Sequence, residues 1–444
     1  MSRKTQPNIL FFLPDQHRPD WLGANGQLPL RTPNLDQLCA RGTRFTKAYT
    51  PSPVCAPARA CLASGRNYDH CRVPSNKETY PLDQPTYYQR LQQAGYHVCG
   101  VGKFDLHKDL RKPREQLAWH LDGSRDLEAW GFDEGIDNEG KLDGSGAYSA
   151  AGRPKGPYLN FLHQRGLAET YCREHAERMD HADAYVTALP DDAYCDNWIA
   201  GNGLRFLRDF PTDRPWHLVI NFTGPHNPMD VTRRMHEAWN DVTFPPPIDN
   251  DQQNYSDQDH QRNRQHYAAE IENIDRQVGR FLELLGQRGE MDNTLIVFSS
   301  DHGEMLGDHG LWGKSTWYEP SVGIPLIVAG PDVRRGEVSD ALVCLHDLAA
   351  TFLKAAEAEP LPDMDARNLW PVLHGNAGKH RETVYSALGK WRMLTDGRWK
   401  LVTRQGEGDL LFDLQTDPLE RRNQLDTHPD IAARLGEQLQ RHGD

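Results

Sequence analysis

The chain has 444 residues, which is long enough for one large domain and a smaller one. Its formal net charge of −13 argues against a nucleic-acid-binding or membrane-surface protein, so an anionic substrate would need a local basic pocket. The eight cysteines form no compact disulfide framework, and the apolar run at 9–13 is too short for a signal peptide or a membrane span. We therefore expect a cytoplasmic protein without nucleic-acid or membrane partners.

The first predicted strand is the continuous apolar run at 8–13, a pattern typical of a strand buried on both faces of a parallel sheet. Asp15 and Gln16 follow it directly. Ligands of open α/β sheets bind beyond the carboxyl ends of the strands, so this pair is predicted to lie at a ligand site. An aspartate that only caps a loop is the alternative.

A short helix is predicted at 33–42, and another one is predicted from Pro57, as its first residue, to a stop at Gly65. Cys55 would then lie just outside the helix N-terminus, where free backbone N–H groups and the helix dipole favour an anion and acidify a thiol. Arg59 follows one turn later and would point at the same place. An inert buried cysteine is the alternative.

Three further predicted strands also end in polar residues. The strand at 97–101 is followed by Lys103 and His107, the strand at 216–222 by His226, and the strand at 294–298 by Asp301 and His302. If these strands are neighbours in one mostly parallel sheet, the polar side chains meet along one edge, facing the helix that begins near Cys55. For each residue alone, a solvated or salt-bridged surface group is the alternative.

The rest of the first 375 residues fits an α/β domain. A long amphipathic helix is predicted at 263–285, where apolar residues recur every three or four positions, and a fifth buried strand is predicted at 325–329. Residues 108–200 are polar and rich in charged residues. We predict that they form irregular insertions over the sheet, without a recognisable motif.

After residue 375 the pattern changes to short strands. They are predicted at 382–386, 391–395, 399–403 and 410–414, with a hairpin turn at Asp396-Gly397 and a terminal helix near 428–441. The predicted fold is therefore a large, mostly parallel α/β sheet flanked by helices in residues 1–375, followed by a small antiparallel α+β subdomain in residues 376–444.

Four residues form a candidate metal site with mainly oxygen ligands and one imidazole: Asp15, Gln16, Asp301 and His302. This set suits a hard divalent cation such as calcium, magnesium or manganese better than zinc. Such an ion would act as a Lewis acid and lower the pKa of a coordinated nucleophile. Four side chains would add positive charge that stabilises a charged transition state: Arg59, Lys103, His226 and Lys314.

Together, the motifs resemble those of the type I formylglycine-dependent sulfatases of the alkaline phosphatase superfamily. They are Asp15-Gln16, Cys55-x-Pro57-x-Arg59, Gly102-Lys103, Pro225-His226-Asn227-Pro228, the run from Ser300 to Lys314, and Leu411 to Leu414 with Asp417-Pro418 and Glu420. The resemblance implies an alkaline-phosphatase-like fold and the hydrolysis of a small anionic sulfate ester. It also implies a maturation partner, a formylglycine-generating enzyme that oxidises Cys55 to an aldehyde.

The resemblance implies a role for each matching residue. The formylglycine at position 55 would coordinate one divalent metal, with Ca²⁺ favoured over Mn²⁺ or Mg²⁺, together with Asp15, Gln16, Asp301 and His302. One hydroxyl of its hydrate would attack sulfur and release the alcohol, and the other would then collapse the sulfated hemiacetal, expel sulfate and regenerate the aldehyde. The remaining roles would be anchoring of the formylglycine by Arg59, binding of sulfate oxygens by Lys103 and Lys314, protonation of the leaving group by His226, and contact with sulfate by Asn76.

The sequence departs from the family pattern at several positions. Gln16 stands where many sulfatases have Asp, and His302 where many have Asn. The Gln variant resembles the choline-sulfatase and phosphonate monoester hydrolase branches. The usual Gly-Lys-x-His step has Asp105 in place of the histidine, and His107 comes two residues late; either could take the role, and we favour His107. Arg18 is predicted to bind a second anionic group, with a salt bridge as the alternative.

Two other functions remain open at this point. The same site could hydrolyse phosphonate monoesters or phosphodiesters. Alternatively, Cys55 could stay unmodified in a non-catalytic metal-binding protein. The oligomeric state is also open, and a homo-oligomer is one option.

Overall fold

The structure is a computed structural model that describes residues 6–178, 180–249 and 255–442. The strands in chain order are β1 (Asn8–Phe12), β2 (Gly42–Phe45), β3 (Ala48–Tyr49), β4 (His97–Gly102), β5 (Glu134–Asp137), β6 (Ala184–Val186), β7 (Trp216–Asn221), β8 (Met229–Val231), β9 (Thr294–Ser299), β10 (Leu326–Ala329), β11 (Glu337–Ser339), β12 (Val343–Cys344), β13 (Val384–Leu388), β14 (Trp391–Thr395), β15 (Trp399–Arg404) and β16 (Leu410–Asp413).

The α-helices occupy the connections between these strands and the chain end. In chain order they are α1 (Pro33–Arg41), α2 (Cys55–Ser64), α3 (Tyr87–Gln93), α4 (Leu127–Trp130), α5 (Lys141–Ala151), α6 (Pro157–Gln164), α7 (Ala168–Ala176), α8 (Cys195–Asp209), α9 (Arg233–Glu237), α10 (Asp257–Gln287), α11 (Glu319–Val322), α12 (Asp347–Ala355), α13 (Trp370–Leu373) and α14 (Pro429–Gln440). No helix in the described part of the chain combines the length and the apolar character needed to cross a membrane.

The main sheet has eight strands in the order β11-β2-β10-β9-β1-β7-β4-β5. The five strands from β9 to β5 run parallel, so their carboxyl ends lie along one edge. Strand β10 runs antiparallel to both of its neighbours, β9 and β2. The expected large, mostly parallel sheet is therefore confirmed, with one reversed strand that corresponds to the run predicted at 325–329.

Two apolar layers enclose the main sheet, which explains why its central strands are continuous apolar runs. In β1, Ile9 and Phe11 pack into one layer, while Leu10 and Phe12 pack into the other. Residues of α2, α3 and α12 share the first layer, and residues of α8 and α10 share the second. Burial on both faces fixes the strands whose ends carry the polar residues.

Two helices begin earlier than predicted. Helix α10 begins at Asp257 because the side chain of Ser256 caps it together with Asp259. Helix α2 begins at Cys55, after an extended Val54, so Pro57 is the third helical residue and not the first. The third position also has a free backbone N–H in an ordinary helix, and proline is tolerated there for the same reason as at the first.

The prediction of irregular insertions at 108–200 is wrong, because α4 to α7 and the start of α8 fall in this segment. Each of these helices is short, and glycine or proline separates α5 from α6. The apolar positions that they bury, such as Tyr158, Leu159 and Leu162 of α6, therefore never form a long periodic pattern.

The C-terminal sheet is antiparallel, in the order β13-β14-β15-β16, and this confirms the expected small C-terminal sheet. Asp396-Gly397 lies in the turn between β14 and β15, where the positive φ of Gly397, 88°, suits glycine. Helix α14 packs on this sheet, and Leu435 of α14 shares an apolar layer with Phe352 of α12. The division of the chain at 375/376 stays a prediction.

Candidate active site

Cys55 occupies the first position of α2, a helix in which every residue is buried. The side-chain oxygen of Asn76 accepts a hydrogen bond from the backbone N–H of Ala56 at 3.0 Å, and this satisfies one of the free donors at the helix N-terminus. The thiol points at the carboxyl edge of the sheet: Cys55 Sγ lies 3.3 Å from His302 Nε2. A residue predicted to lie just outside the helix is thus held rigidly at its start.

Four buried side chains place their ligand atoms within 4.8 Å of one another. They are Asp15, which follows β1, Cys55 at the start of α2, and Asp301 and His302, which follow β9. Nδ1 of His302 donates to the carbonyl of Gly303 at 3.0 Å, so in the neutral ring the lone pair of Nε2 faces the cluster. The arrangement is that of a set of metal ligands.

The charges of this cluster fit a divalent cation. Burial, followed by the nearby charge of Asp15, raises the pKa of Asp301 above its ordinary value. Asp15 Oδ1 lies 3.7 Å from His302 Nε2, which is longer than an ordinary hydrogen bond between nitrogen and oxygen, and it accepts a long hydrogen bond from Cys55 Sγ at 3.8 Å. A hard cation bound between the carboxylates would offset their mutual repulsion.

Gln16 is turned towards the same cluster by its own neighbours. Its backbone has a φ of 71°, and its side-chain amide nitrogen donates to the Glu304 carboxylate and, at 3.4 Å, to Asn227 Oδ1. The amide oxygen faces Lys314, whose Nζ donates to it. This oxygen is of the type that calcium and magnesium bind.

Two cations balance the carboxylates, and one of them, Lys103, also lies 3.7 Å from Cys55 Sγ. Arg59 Nε lies 2.9 Å from Asp301 Oδ2, and Arg59 Nη2 lies 3.4 Å from Asp15 Oδ2. Lys103 Nζ lies 2.5 Å from the same Asp15 oxygen. Arg59 also donates to the carbonyl of Lys103 at 2.6 Å and to Asn221 Oδ1 at 3.1 Å, so it ties the ends of β4 and β7 to α2.

The thiol of Cys55 is acidified by its surroundings. Burial is the largest influence on its pKa and raises it, and the charge of Asp15 acts in the same direction. The positive charges of Lys103 and Lys314, with a smaller contribution from His302 when its ring is protonated, outweigh both and lower the pKa to about 6. The environment at position 55 therefore favours an oxyanion or thiolate over a neutral group.

His226 lies on the segment 225–228 that follows β7. Its Nδ1 donates to the carbonyl of Asn227 at 2.5 Å, which leaves Nε2 as the ring atom that can exchange a proton with a ligand. Burial lowers the pKa of His226 well below its usual value; Lys314 lowers it further, and Asp15 opposes the shift. The segment is joined to the cluster on both sides of His226, because the carbonyl of Gly224 accepts from the backbone N–H of Asp15 at 3.0 Å and Asn227 Oδ1 accepts from Gln16 Nε2 at 3.4 Å.

His107 does not join this cluster through the contacts that the structure shows. Its ring contacts Asp126, whereas Asp105 lies 3.3 Å from Lys103 Nζ and 2.8 Å from Lys108 Nζ. Asp105 has a φ of 52°, and this reversal of the backbone turns the chain before His107 is reached. The structure therefore places Asp105 beside Lys103, and not His107, which we favoured.

Arg18 is buried in salt bridges. Its guanidinium lies 2.8 Å from Asp20 and 2.7 Å from Asp308, and it donates to the carbonyl of Met305 at 3.1 Å. These contacts fix the start of the loop after β9, and they match the salt-bridge alternative rather than binding of a second anionic group.

Several contributors to the site were not singled out from the sequence. They are Lys108, Asn221, Asn227 and Glu304. Glu304 and Asn227 belong to motifs that carry predicted residues, so their position beside His302 and His226 was a usable signal. Lys108 had only its spacing of three residues from Asp105, a weak indication outside a helix.

Comparison with known proteins agrees with this geometry. Residues 7–358 match the Sulfatase family, and residues 307–443 match the family described as N-sulphoglucosamine sulphohydrolase, C-terminal. The chain is 29% identical to the choline-sulfatase of Rhizobium meliloti (strain 1021), over 94% of this chain and 82% of that protein. It is 26% identical to an arylsulfatase of Clostridium perfringens (strain 13 / Type A), over 95% of this chain and 91% of that protein.

The fold also matches solved structures. The phosphonate monoester hydrolase of Agrobacterium radiobacter superposes with a TM-score of 0.80 at 22% identity, covering 98% of this chain and 95% of that one. The structure of BT4656 in complex with its substrate D-glucosamine-2-N,6-O-disulfate superposes with a TM-score of 0.77 at 21% identity, covering 99% and 98%. At these identities the superpositions establish a shared fold.

Proposed function

Because the chain belongs to the sulfatase family of sulfuric ester hydrolases, we propose that it hydrolyses a sulfate ester with a formylglycine made from Cys55 and one divalent metal ion. The observation that carries this proposal is the convergence of two carboxylates, an imidazole and the Cys55 thiol within 4.8 Å, at the start of a helix and beside buried cations. A purely structural cluster needs no such convergence at a sheet edge.

The metal would be held by Asp15, Gln16, Asp301, His302 and the modified residue 55. Its oxygen-rich ligand set favours Ca²⁺, with Mn²⁺ or Mg²⁺ as alternatives. When bound, the ion supplies Lewis-acid stabilisation of negative charge. The chain's own part is to hold the ligands in place, which Arg59 does by contacting both Asp15 and Asp301.

The formylglycine supplies a hydroxyl nucleophile in its hydrated form, and a formylglycine-generating enzyme is the maturation partner that this requires. The surroundings of position 55 suit such a group. The charges that lower the pKa of the Cys55 thiol would equally favour ionisation of a hydroxyl at the same place.

The substrate in this proposal is a small anionic ester. Lys103 and Lys314 would bind its sulfate oxygens, and the side-chain NH₂ of Asn76, whose oxygen is already used by Ala56, would donate to another. The negative charge of a bound sulfate would offset Lys314 and Lys103 and raise the pKa of His226. Nε2 of His226 would then protonate the leaving alcohol oxygen.

A choline-sulfatase and an arylsulfatase among the relatives, and a neighbour solved with a sulfated sugar, support a sulfate ester as the substrate class. The rival class is a phosphonate monoester or a phosphodiester, since a phosphonate monoester hydrolase shares the fold. The sulfatase assignment is favoured, because the family match and the relatives of higher identity both point to sulfate.

The decisive experiment is the ratio of kcat/KM for an aryl sulfate to kcat/KM for an aryl phosphonate monoester, measured on protein co-expressed with a formylglycine-generating enzyme. We expect a ratio well above one. A ratio well below one would reassign the protein to phosphonate or phosphodiester hydrolysis. The mass of the Cys55 peptide from the native host is the companion measurement, and an unmodified thiol there would contradict the formylglycine mechanism.

A further inference from the structure

We propose that Lys141 is a positioning residue for His226: it holds the backbone of the segment 225–228 so that the imidazole meets the leaving oxygen. The proposal rests on the proposed function, because it takes His226 as the group that protonates the alcohol. Lys141 begins α5, in the part of the chain for which the sequence showed no motif.

The ammonium group of Lys141 is tied directly to the His226 segment. Lys141 Nζ donates to the carbonyl of His226 at 2.9 Å and to the carbonyl of Pro228 at 3.2 Å. Only 2% of the lysine side chain is exposed. A buried ammonium that bonds two carbonyls of one short segment restricts where that segment can lie, because breaking these bonds would leave buried polar groups without partners.

Two carboxylates hold the same ammonium from the other side. Glu270 Oε2 of α10 lies 2.9 Å from Lys141 Nζ, and Asp230 Oδ1 of β8 lies 2.7 Å from it. Both acids are buried, so these ion pairs are little screened by solvent. Lys141 therefore links the long helix α10 to the backbone of His226.

A second anchor holds the other end of the segment. Asp196 of α8 accepts from the backbone N–H of Thr223 at 2.7 Å and from that of Gly224 at 3.1 Å. The carbonyl of Gly224 in turn accepts from the backbone N–H of Asp15 at 3.0 Å. The segment from 223 to 228 is thus fixed at both ends and is joined to the metal-ligand edge.

Close packing leaves this segment little room to move. A Cβ atom built on Gly224 would lie 2.6 Å from Asp196 Oδ2 and 2.6 Å from Glu270 Oε2. Loss of the Lys141 contacts would free one end of the segment while Asp196 keeps the other. We therefore expect the His226 ring to shift with little change at Asp15.

This predicts a defect that depends on the leaving group. Hydrolysis of an alkyl sulfate needs a proton on its departing oxygen, whereas a nitrophenolate leaves without one. The test uses Lys141→Met combined with Glu270→Gln, which removes one positive and one negative buried charge. Its kcat and KM are measured on sulfate esters that range from nitrophenyl to alkyl, normalised to formylglycine and metal content.

We expect kcat for the alkyl ester to fall about 10²-fold and kcat for the nitrophenyl ester to change by less than about threefold. Asp230→Asn, which keeps the shape of the anchor, should show the same selectivity on a smaller scale and serves if the double variant does not fold. Lys379→Met removes an exposed lysine and is the matched control, for which we expect no change in either rate.

The two proposals can fail separately, because His226→Asn is measured on the same ester series. If His226→Asn shows no dependence on the leaving group, the proton-donor role of His226 is wrong. If His226→Asn shows that dependence but the Lys141 and Asp230 variants lower all rates equally, or lower none, the positioning role of Lys141 is overturned.

Discussion

Two buried clusters of charged residues differ in how their carboxylates are satisfied. Asp347, at the start of α12, has both oxygens filled: Arg381 Nε donates at 2.8 Å, His380 Nε2 lies at 3.1 Å, and the backbone N–H groups of Cys344 and Arg367 donate at 3.0 and 2.8 Å. Asp15 Oδ1, by contrast, has its polar neighbours at 3.7 and 3.8 Å.

This difference separates a structural site from a functional one. The Asp347 cluster joins α12 to the segment before β13 and leaves that carboxylate no room for a ligand. The cluster around Asp15 and Asp301 places acids side by side and turns a lone pair of His302 towards them. Asp301 has close partners on both oxygens, in the backbone N–H groups of Gln16 and His302 and in Arg59. It is the loosely contacted Oδ1 of Asp15, beside the Cys55 thiol and the His302 ring, that indicates a place for a cation.

The largest effect is expected when the nucleophile is removed from the cluster around Asp15 and Asp301. Cys55→Ala should lower turnover of a sulfate ester by more than about 10⁴-fold, because no other group at this position can attack sulfur. The melting temperature should stay close to that of the unchanged protein. Cys195→Ala, which removes a buried thiol of α8 outside the metal-ligand cluster, is the matched control. Retained turnover in the Cys55 variant would remove it from the mechanism.

A smaller loss is expected when one ligand is weakened. Asp301→Asn should lower metal content and kcat/KM together, because a neutral amide binds a hard cation less well than a carboxylate does. The metal affinity or the rate should fall by about 10²-fold. Metal content by mass spectrometry and turnover with added Ca²⁺ provide the check. Full metal content with full activity would exclude Asp301 from the site.

A substitution in the Asp347 cluster should have the opposite effect: it should lower the stability of the fold and leave turnover unchanged. Arg381→Met removes the main partner of a buried carboxylate and should destabilise the fold by about 3–5 kcal/mol, with kcat of the folded fraction unchanged. Urea unfolding measures the loss of stability, and initial rates measure kcat. Arg335→Met, at an exposed arginine, is the control, and equal stability of the two variants would contradict the assignment.

The smallest effect concerns pH. Burial would raise the pKa of Asp347, but Arg381 and His380 hold it well below its usual value. A carboxyl whose pKa is depressed on folding stabilises the protein above its unfolded pKa of about 3.9 and loses that contribution as the pH falls towards the folded value. The stability advantage of the unchanged protein over Asp347→Asn should therefore be full at pH 7 and shrink below about pH 4. An advantage that is constant from pH 7 to pH 3 would contradict this.

The sequence was most informative where a single strand determines the position of a side chain. The buried strands β1, β4, β7 and β9 were all predicted as apolar runs, and the parallel sheet brings Asp15, Lys103 and Asp301 to one edge as expected. Burial on both faces makes such strands readable from local composition, and the polar residue directly after the strand has little freedom to lie elsewhere.

The sequence was least informative where a contact depends on residues far apart in the chain. Lys141 and Glu270 are separated by 129 residues, and each is a single charged residue in a helix. Periodicity describes which face a helix buries, but not which distant acid meets a buried lysine. His107 shows a second limit, since the reversal at Asp105, which decides its direction, has no marker such as glycine in the sequence.

The reversed strand β10 has an evolutionary consequence. The chain leaves the sheet at the end of β9 and returns on the adjacent β10, so everything from Ser300 to Pro325 forms one excursion whose two ends lie side by side. Such a loop can gain or lose residues without shifting the register of any other strand, and each doubling of its length costs only about 0.6 kcal/mol of closure entropy. Lys314 brings the excursion back to the site by donating to Gln16, so selection or design could change only those parts of the loop that lie away from this contact while the ligands stay fixed.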